Sequence, residues 1–186
     1  MWPWGHLAVG YFCYLAIVRL GARRGLTAAT LLAVAFGTQF PDLVDKPLAW
    51  SVPILPSGRS LAHSLVVAAV LLTVLYWISR VYEREEIVLA FAVGYVAHSL
   101  SDLGPGTVLG LLQGDLSQLT WTTYLVWPLL APPPYPNDSS FISHFVAFAF
   151  EPYVVFQSLL FVAAFGHWIL KGQPGLRTTL YYLDPR

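Results

Sequence analysis

Five apolar runs, each ended by charged, glycine-rich or proline-rich sequence, constrain this chain more than any other feature. They extend from about His6 to Leu20, from Thr27 to Phe40, from Leu61 to Ser79, from Ile87 to Leu103 and from about Pro152 to Leu170. A helix needs about 20 predominantly apolar residues to cross a bilayer. The third run is long enough, whereas the first two are short, so their polar ends are expected at or slightly inside the interface. Charged residues make up only 11% of the 186 residues, against about 25% in a typical soluble domain. The pattern implies an all-α polytopic membrane protein. About five transmembrane helices form one domain over residues 1–186, with a motif-bearing core at 5–128 and a last span with its tail at 150–186.

The connections sharpen this picture. Thr27 is suited to cap the second helix, which should stop at Pro41-Asp42. Between Lys46 and Gly58, Pro47, Pro53 and Pro56 oppose regular helix. The stretch from Thr107 to Ala131 is apolar but interrupted by Gln113, Asp115 and Gln118, and it ends in Pro132-Pro133-Pro134. It reads as an interfacial or re-entrant segment. The N-terminal Met1-Trp2-Pro3-Trp4 lacks basic residues, and the first run ends in arginines rather than a small-residue cleavage site. A retained helix is expected there. Zero net charge gives no case for nucleic acid, and the single cysteine, Cys13, leaves no internal disulfide.

Taking the spans in alternation, one side collects Arg19, Arg23, Arg24, Arg80, Arg84, Lys171, Arg177 and Arg186, and the other only Lys46 and Arg59. The excess of basic residues on cytoplasmic loops then predicts an N-terminus outside and a C-terminus in the cytoplasm. The same alternation brings His6, Asp42, Asp45, Arg59, His63, His98 and Asp102 to one end of the bundle, away from the arginine-rich turns. His98 and Asp102 sit four apart, on one face of a helix.

Three histidines and three carboxylates form a nitrogen and oxygen donor set that suits Zn²⁺ or Mn²⁺. A metal held there lowers the pKa of a coordinated water toward 7. A helix starting near Ser57 would put Arg59 on one face with His63, where its guanidinium could orient a phosphate or carboxylate. Ser64 and Ser99, each after a histidine, are either donors to the ligands or packing residues.

Each residue also has a plainer reading. A single histidine at a span end is commonly an interfacial group bonded to a carbonyl. Asp42 after Pro41 could turn the chain, Asp45 could pair with Lys46, and Arg59 could anchor at the interface. Trp2, Trp4, Trp50, Trp121 and Trp127 fit an aromatic belt. His144 and Glu151 are seven apart across an undefined helix start, His167 near the opposite end reads as structural, and Glu83, Glu85 and Glu86 as a solvated turn.

On these residues the chain resembles the membrane-bound metal-dependent hydrolase family related to the bacterial inner-membrane protein YdjM. The motifs are Gly5-His6, Pro41-Asp42-Leu43-Val44-Asp45, Gly58-Arg59-Ser60-Leu61-Ala62-His63-Ser64, the segment from Gly94 to Asp102, and Trp127-Pro128. Gly58 and Ala62 stand where that family often has histidine and threonine, which makes His144 the candidate substitute ligand. The ligand order is similar to that of zinc-dependent phospholipase C, although the later His-x-x-x-Glu of those enzymes is missing.

The resemblance implies a metal site of His6, Asp42, Asp45, His63, His98 and Asp102, holding Zn or, as second choice, Mn, with Asp45 as base and Arg59 facing developing negative charge. The expected function is hydrolysis of an ester or phosphoester of a lipid or amphiphile at the outer interface of the cell membrane, through a metal-bound hydroxide. Membrane lipid is the expected partner. The competing expectation is a non-catalytic scaffold or partner-binding protein whose His/Asp cluster is a structural polar knot. A transporter is disfavoured by the lack of visible repeats.

Overall fold

The computed structural model describes residues 1–21, 25–135, 140, 142, 146 and 148–176. Its regular elements are helical. They are α1 (Pro3–Arg19), α2 (Ala28–Lys46), a π-helical turn (Pro47–Ser51), α3 (Leu65–Val81), α4 (Glu85–Ser101), α5 (Gly104–Leu112), a 3-10 segment (Leu116–Val126) and α6 (Pro152–Leu170).

Local chemistry sets the helix starts. Pro3 and Pro152 occupy the first turns of α1 and α6, where a missing N–H removes no helical bond. Thr27 and Thr30 form a reciprocal capping box on α2: each hydroxyl accepts the other's backbone N–H, at 3.2 and 3.0 Å. Ser64 Oγ caps α3 by accepting from the Val66 and Val67 amides. Glu85 and Glu86 lie in the first turn of α4, where the helix dipole favours negative charge.

Helices α2 and α4 approach backbone to backbone, and two glycines permit it. A Cβ on Gly94 would lie 2.3 Å from the Val34 carbonyl oxygen, and one on Gly37 would lie 2.3 Å from that of Phe91. Neither distance is tolerable for a side chain, so the two backbones touch only because both residues are glycine. Helix α1 joins at the same level, where a Cβ on Gly10 would meet the Thr38 methyl at 2.2 Å. Tyr14, Val34 and Ala90 pack below this crossing, and Ala68, Phe91 and Tyr95 fill the contact toward α3. The crossing fixes the end of α4 against the end of α2, where the polar residues gather.

Two elements differ from the sequence expectation, and a third follows it. Helix α2 does not stop at Pro41 but runs through it to Lys46, carrying Asp42 and Asp45 on its last turn. The missing proline N–H normally disfavours a helix interior, and here Pro41 is buried against the bundle. No helix starts near Ser57: α3 begins at Leu65, and the Ser57 hydroxyl instead accepts the Arg59 amide at 3.0 Å in a tight turn. The stretch after Leu103 bends by 74° from α4 into α5 and then returns as the 3-10 segment.

Among the described residues, α6 is the one helix long and apolar enough to cross a membrane by itself. Helices α4 and α5 reach that length only together, across their bend. Helix α3 is apolar but has 17 residues, or about 25 Å of rise against a hydrocarbon core of about 30 Å.

Candidate metal centre

Because Gly94 and Gly37 let the helices touch, His98 on α4 is carried against α2 one turn beyond the crossing. Its Nδ1 donates to the Thr38 carbonyl at 2.6 Å. A carbonyl only accepts, so the proton of a neutral ring resides on Nδ1, and Nε2 presents its lone pair.

His63 lies in the connection ahead of α3 and is oriented by Asp45. That carboxylate accepts from the Ser60 amide at 2.8 Å, the Ala62 amide at 2.8 Å, the His63 amide at 3.2 Å and His63 Nδ1 at 2.8 Å. Asp45 is fully buried, and these donors take up both its oxygens. It sits behind His63, on the Nδ1 side, and it fixes the loop from Ser60 to His63. The expectation that Asp45 is a ligand and a base therefore meets a geometry in which it positions His63 instead. Like His98, His63 presents Nε2 as a lone pair when neutral.

The two Nε2 atoms lie 3.1 Å apart. Asp42 Oδ1 is 3.4 Å from His63 Nε2 and 3.7 Å from His98 Nε2, and Asp102 Oδ2 is 3.5 and 3.9 Å from the same atoms. Ligand bonds of about 2.0–2.1 Å in a tetrahedral zinc site place donor atoms about 3.3–3.4 Å apart. One atom from each of Asp42, His63, His98 and Asp102 can thus surround a metal ion, all within 4.8 Å of one another. Asp42 Oδ1 is buried and has no hydrogen-bond partner among the described residues, as expected of an atom reserved for a cation.

Cationic side chains brace both carboxylates, Lys46 on the outer oxygen of Asp42 and Arg59 on the Asp102 oxygen that faces the centre. Lys46 Nζ donates to Asp42 Oδ2 at 2.6 Å, leaving Oδ1 toward the centre. The sequence allowed Lys46 to pair with Asp45, but the structure pairs it with Asp42. Arg59 Nε donates to Asp102 Oδ2 at 2.7 Å, and its guanidinium lies over the Tyr135 ring, 4.4 Å from the centroid. Burial opposes charge on His63, but the adjacent carboxylates of Asp102, Asp42 and Asp45 outweigh it and raise the pKa to about 10. Without a metal, a proton on this ring compensates the carboxylates.

His6 on α1 flanks the group. Its ring stacks on His98 with centroids 3.7 Å apart and an interplanar angle of 19°. Its Nδ1 meets Ser101 Oγ at 3.0 Å, and Nε2 lies 3.1 Å from Asp102 Oδ1. The Met1 amine reaches the same carboxylate oxygen at 2.5 Å.

The other sequence candidates fall elsewhere. Ser64 caps α3 and donates to the Trp127 carbonyl, which ties the stretch after the 3-10 segment to the loop bearing His63. The Ser99 carbonyl accepts from Tyr124 at 2.8 Å, whereas its own hydroxyl is buried without a partner among the described residues. His167 bonds Tyr11 at 2.8 Å and Arg19 at 3.1 Å, joining α6 to α1 far along the bundle from His6. Glu151 is exposed, and His144 lies outside the described residues. Sequence reasoning missed Thr38, which acts through its main-chain carbonyl, and Ser101, which follows the pattern of small polar residues beside histidine.

No curated protein and no solved structure matches the chain. A family comparison, by contrast, aligns residues 1–162. The match extends past Trp127-Pro128 and takes in the first half of α6, beyond the motifs that carry the resemblance in the sequence. The chain belongs to the YdjM inner membrane protein family.

Proposed function

We propose that this protein is a membrane-embedded, metal-dependent hydrolase acting on an ester or phosphoester of a lipid or other amphiphile. The observation that carries this reading is the convergence of four lone-pair donors, Asp42 Oδ1, His63 Nε2, His98 Nε2 and Asp102 Oδ2, at the spacing of a metal's ligand sphere. Asp42, His63, His98 and Asp102 hold the ion, and zinc suits the mixed nitrogen and oxygen set best, with manganese second. A divalent cation bound there polarises the scissile group and makes a nucleophilic water available near neutral pH.

The chain's own residues supply the rest. Asp45 and the Thr38 carbonyl fix both imidazoles in the tautomer that ligation needs. Arg59 keeps its charge beside Asp102 with its side chain 23% exposed, so it can meet an anionic substrate at the edge of the site. Membership of an inner membrane family supports lipid as the adjacent chemistry. In the topology that fits this role, five segments cross or enter the membrane, the N-terminus and the site face outward, and the arginine-rich turns face the cytoplasm. The shorter helices then sit with their polar ends in the head-group region.

A structural polar knot is the second reading, favoured by the Arg59–Asp102 and Lys46–Asp42 pairs, which would stabilise the bundle without any metal. The two are separated by presenting the zinc-loaded full chain with phospholipid in mixed micelles and following release of phosphate ester and fatty acid. Metal-dependent release that is lost with EDTA and in His98→Ala supports hydrolysis. A folded protein that takes up no zinc and releases neither supports the knot.

A further inference from the structure

We infer that Asp102 bridges two cations, its Oδ2 belonging to the centre with Asp42, His63 and His98 and its Oδ1 to a second divalent-cation position beside His6. This rests on the first position being a metal centre, and it assigns the other half of the same carboxylate.

The proton on Ser101 fixes the tautomer of His6. The Ser101 hydroxyl donates to the His98 carbonyl at 3.0 Å, so its oxygen is left to accept. His6 Nδ1, 3.0 Å from that oxygen, is then the donor, and the neutral ring carries its lone pair on Nε2. His6 is fully buried, and Nε2 has no aligned hydrogen-bond partner among the described residues. It nevertheless lies 3.1 Å from Asp102 Oδ1. Two acceptors that close repel unless a positive charge stands between or beside them. A divalent ion bound by a nitrogen and a carboxylate oxygen at about 2.0–2.2 Å would separate them by a comparable distance.

The carboxylate is suited to bridge. Oδ2 faces His63 and His98, whereas Oδ1 faces His6 and the Met1 amine. The stacking of His6 on His98 holds the two rings nearly parallel, so each Nε2 serves its own oxygen of Asp102. Paired metals sharing a ligand clamp both the attacking and the leaving oxygen in displacement at phosphorus or carbon. The second position thus gives His6 a role that the four-residue centre does not use.

The competing occupants are protons: an imidazolium at His6, or the Met1 ammonium alone. Metal stoichiometry distinguishes them. The full chain in detergent is stripped with chelator, reloaded with zinc alone, freed of excess, and its zinc-to-protein ratio measured by elemental analysis beside His6→Gln and Ser101→Ala. The expected ratios are two for the parent chain and one for His6→Gln, with helicity unchanged by circular dichroism. Ser101→Ala should keep the first ion and bind the second about 10- to 100-fold more weakly. A parent ratio of one, or a His6→Gln ratio still at two, overturns the bridge and leaves the first centre standing. A parent ratio of zero overturns both.

Discussion

His63 and His98 point their Nε2 atoms at each other across 3.1 Å, after each ring has committed Nδ1 to an acceptor, His63 to Asp45 and His98 to the Thr38 carbonyl. Two neutral imidazoles so arranged have no proton to share, and the nearest other atoms are carboxylate oxygens of Asp42 and Asp102. A proton on His63 reconciles them in the metal-free centre, and a metal ion that displaces this proton can be held by all four. This relationship is what separates the cluster from a set of interfacial histidines, each bonded to its own carbonyl.

The orienting role of Asp45 predicts a graded defect. In Asp45→Asn one acceptor becomes an amide donor, facing either the Ser60 and His63 N–H groups or that of Ala62. Zinc affinity should fall about 10- to 100-fold while one ion is still bound at saturating zinc. Chelator competition measures this. An affinity equal to that of the parent chain would show that His63 needs no support from Asp45.

Proton competition gives a pH dependence. In the metal-free centre His63 has its pKa raised to about 10, because contacts with Asp102, Asp42 and Asp45 outweigh the burial that opposes its charge. Below that pH the ring is protonated, and an entering metal must displace the proton. Affinity should therefore rise with pH, by about tenfold per unit between pH 6 and 9 for one proton released. Dissociation constants that stay flat from pH 6 to 8 would contradict a His63 ligand.

The α2–α4 crossing should be intolerant of a single methyl group. Gly94→Ala drives a Cβ onto the Val34 carbonyl, a contact that only backbone displacement relieves. The expected cost is about 1–3 kcal/mol, with weaker metal binding because His98 and Asp42 are carried apart. Thermal unfolding in detergent followed by circular dichroism tests the first part. A Gly94→Ala protein as stable as its parent would mean that the helices are not locked at this point.

Topology can be tested by labelling. With Cys13 replaced by serine, a cysteine introduced at Glu83, in the turn between α3 and α4, should react with a membrane-impermeant reagent only after the cytoplasmic side is opened. One introduced at Ile54, in the exposed loop before the site, should react from outside. Reaction of both from the same side would rule out α3 as a crossing helix.

Much of the site is visible in the sequence because it depends on spacing and alternation. The four-residue interval puts His98 and Asp102 on one face, and counting apolar runs brings Asp42 and His63 to the same end. Roles were less visible than places. Asp42 and Asp45 are three apart on one helix, and only the path of the loop from Ser57 to His63 decides which one faces the centre and which stands behind His63. The Thr38 carbonyl leaves no side-chain signal at all. Pro41 reads as a stop, yet α2 continues because burial in the bundle outweighs the lost hydrogen bond. Crossing helices are the least legible feature, since 17-residue apolar helices such as α3 lie near the lower limit for a span.

The central claim is that Asp42, His63, His98 and Asp102 form a metal centre, and metal content tests it most directly. The full chain, purified in detergent without chelator, should carry zinc or manganese in at least stoichiometric amount. His98→Ala should lose the ion of this centre while keeping its helical circular dichroism. A folded parent chain that holds no divalent metal, even after reloading with zinc, would contradict the account.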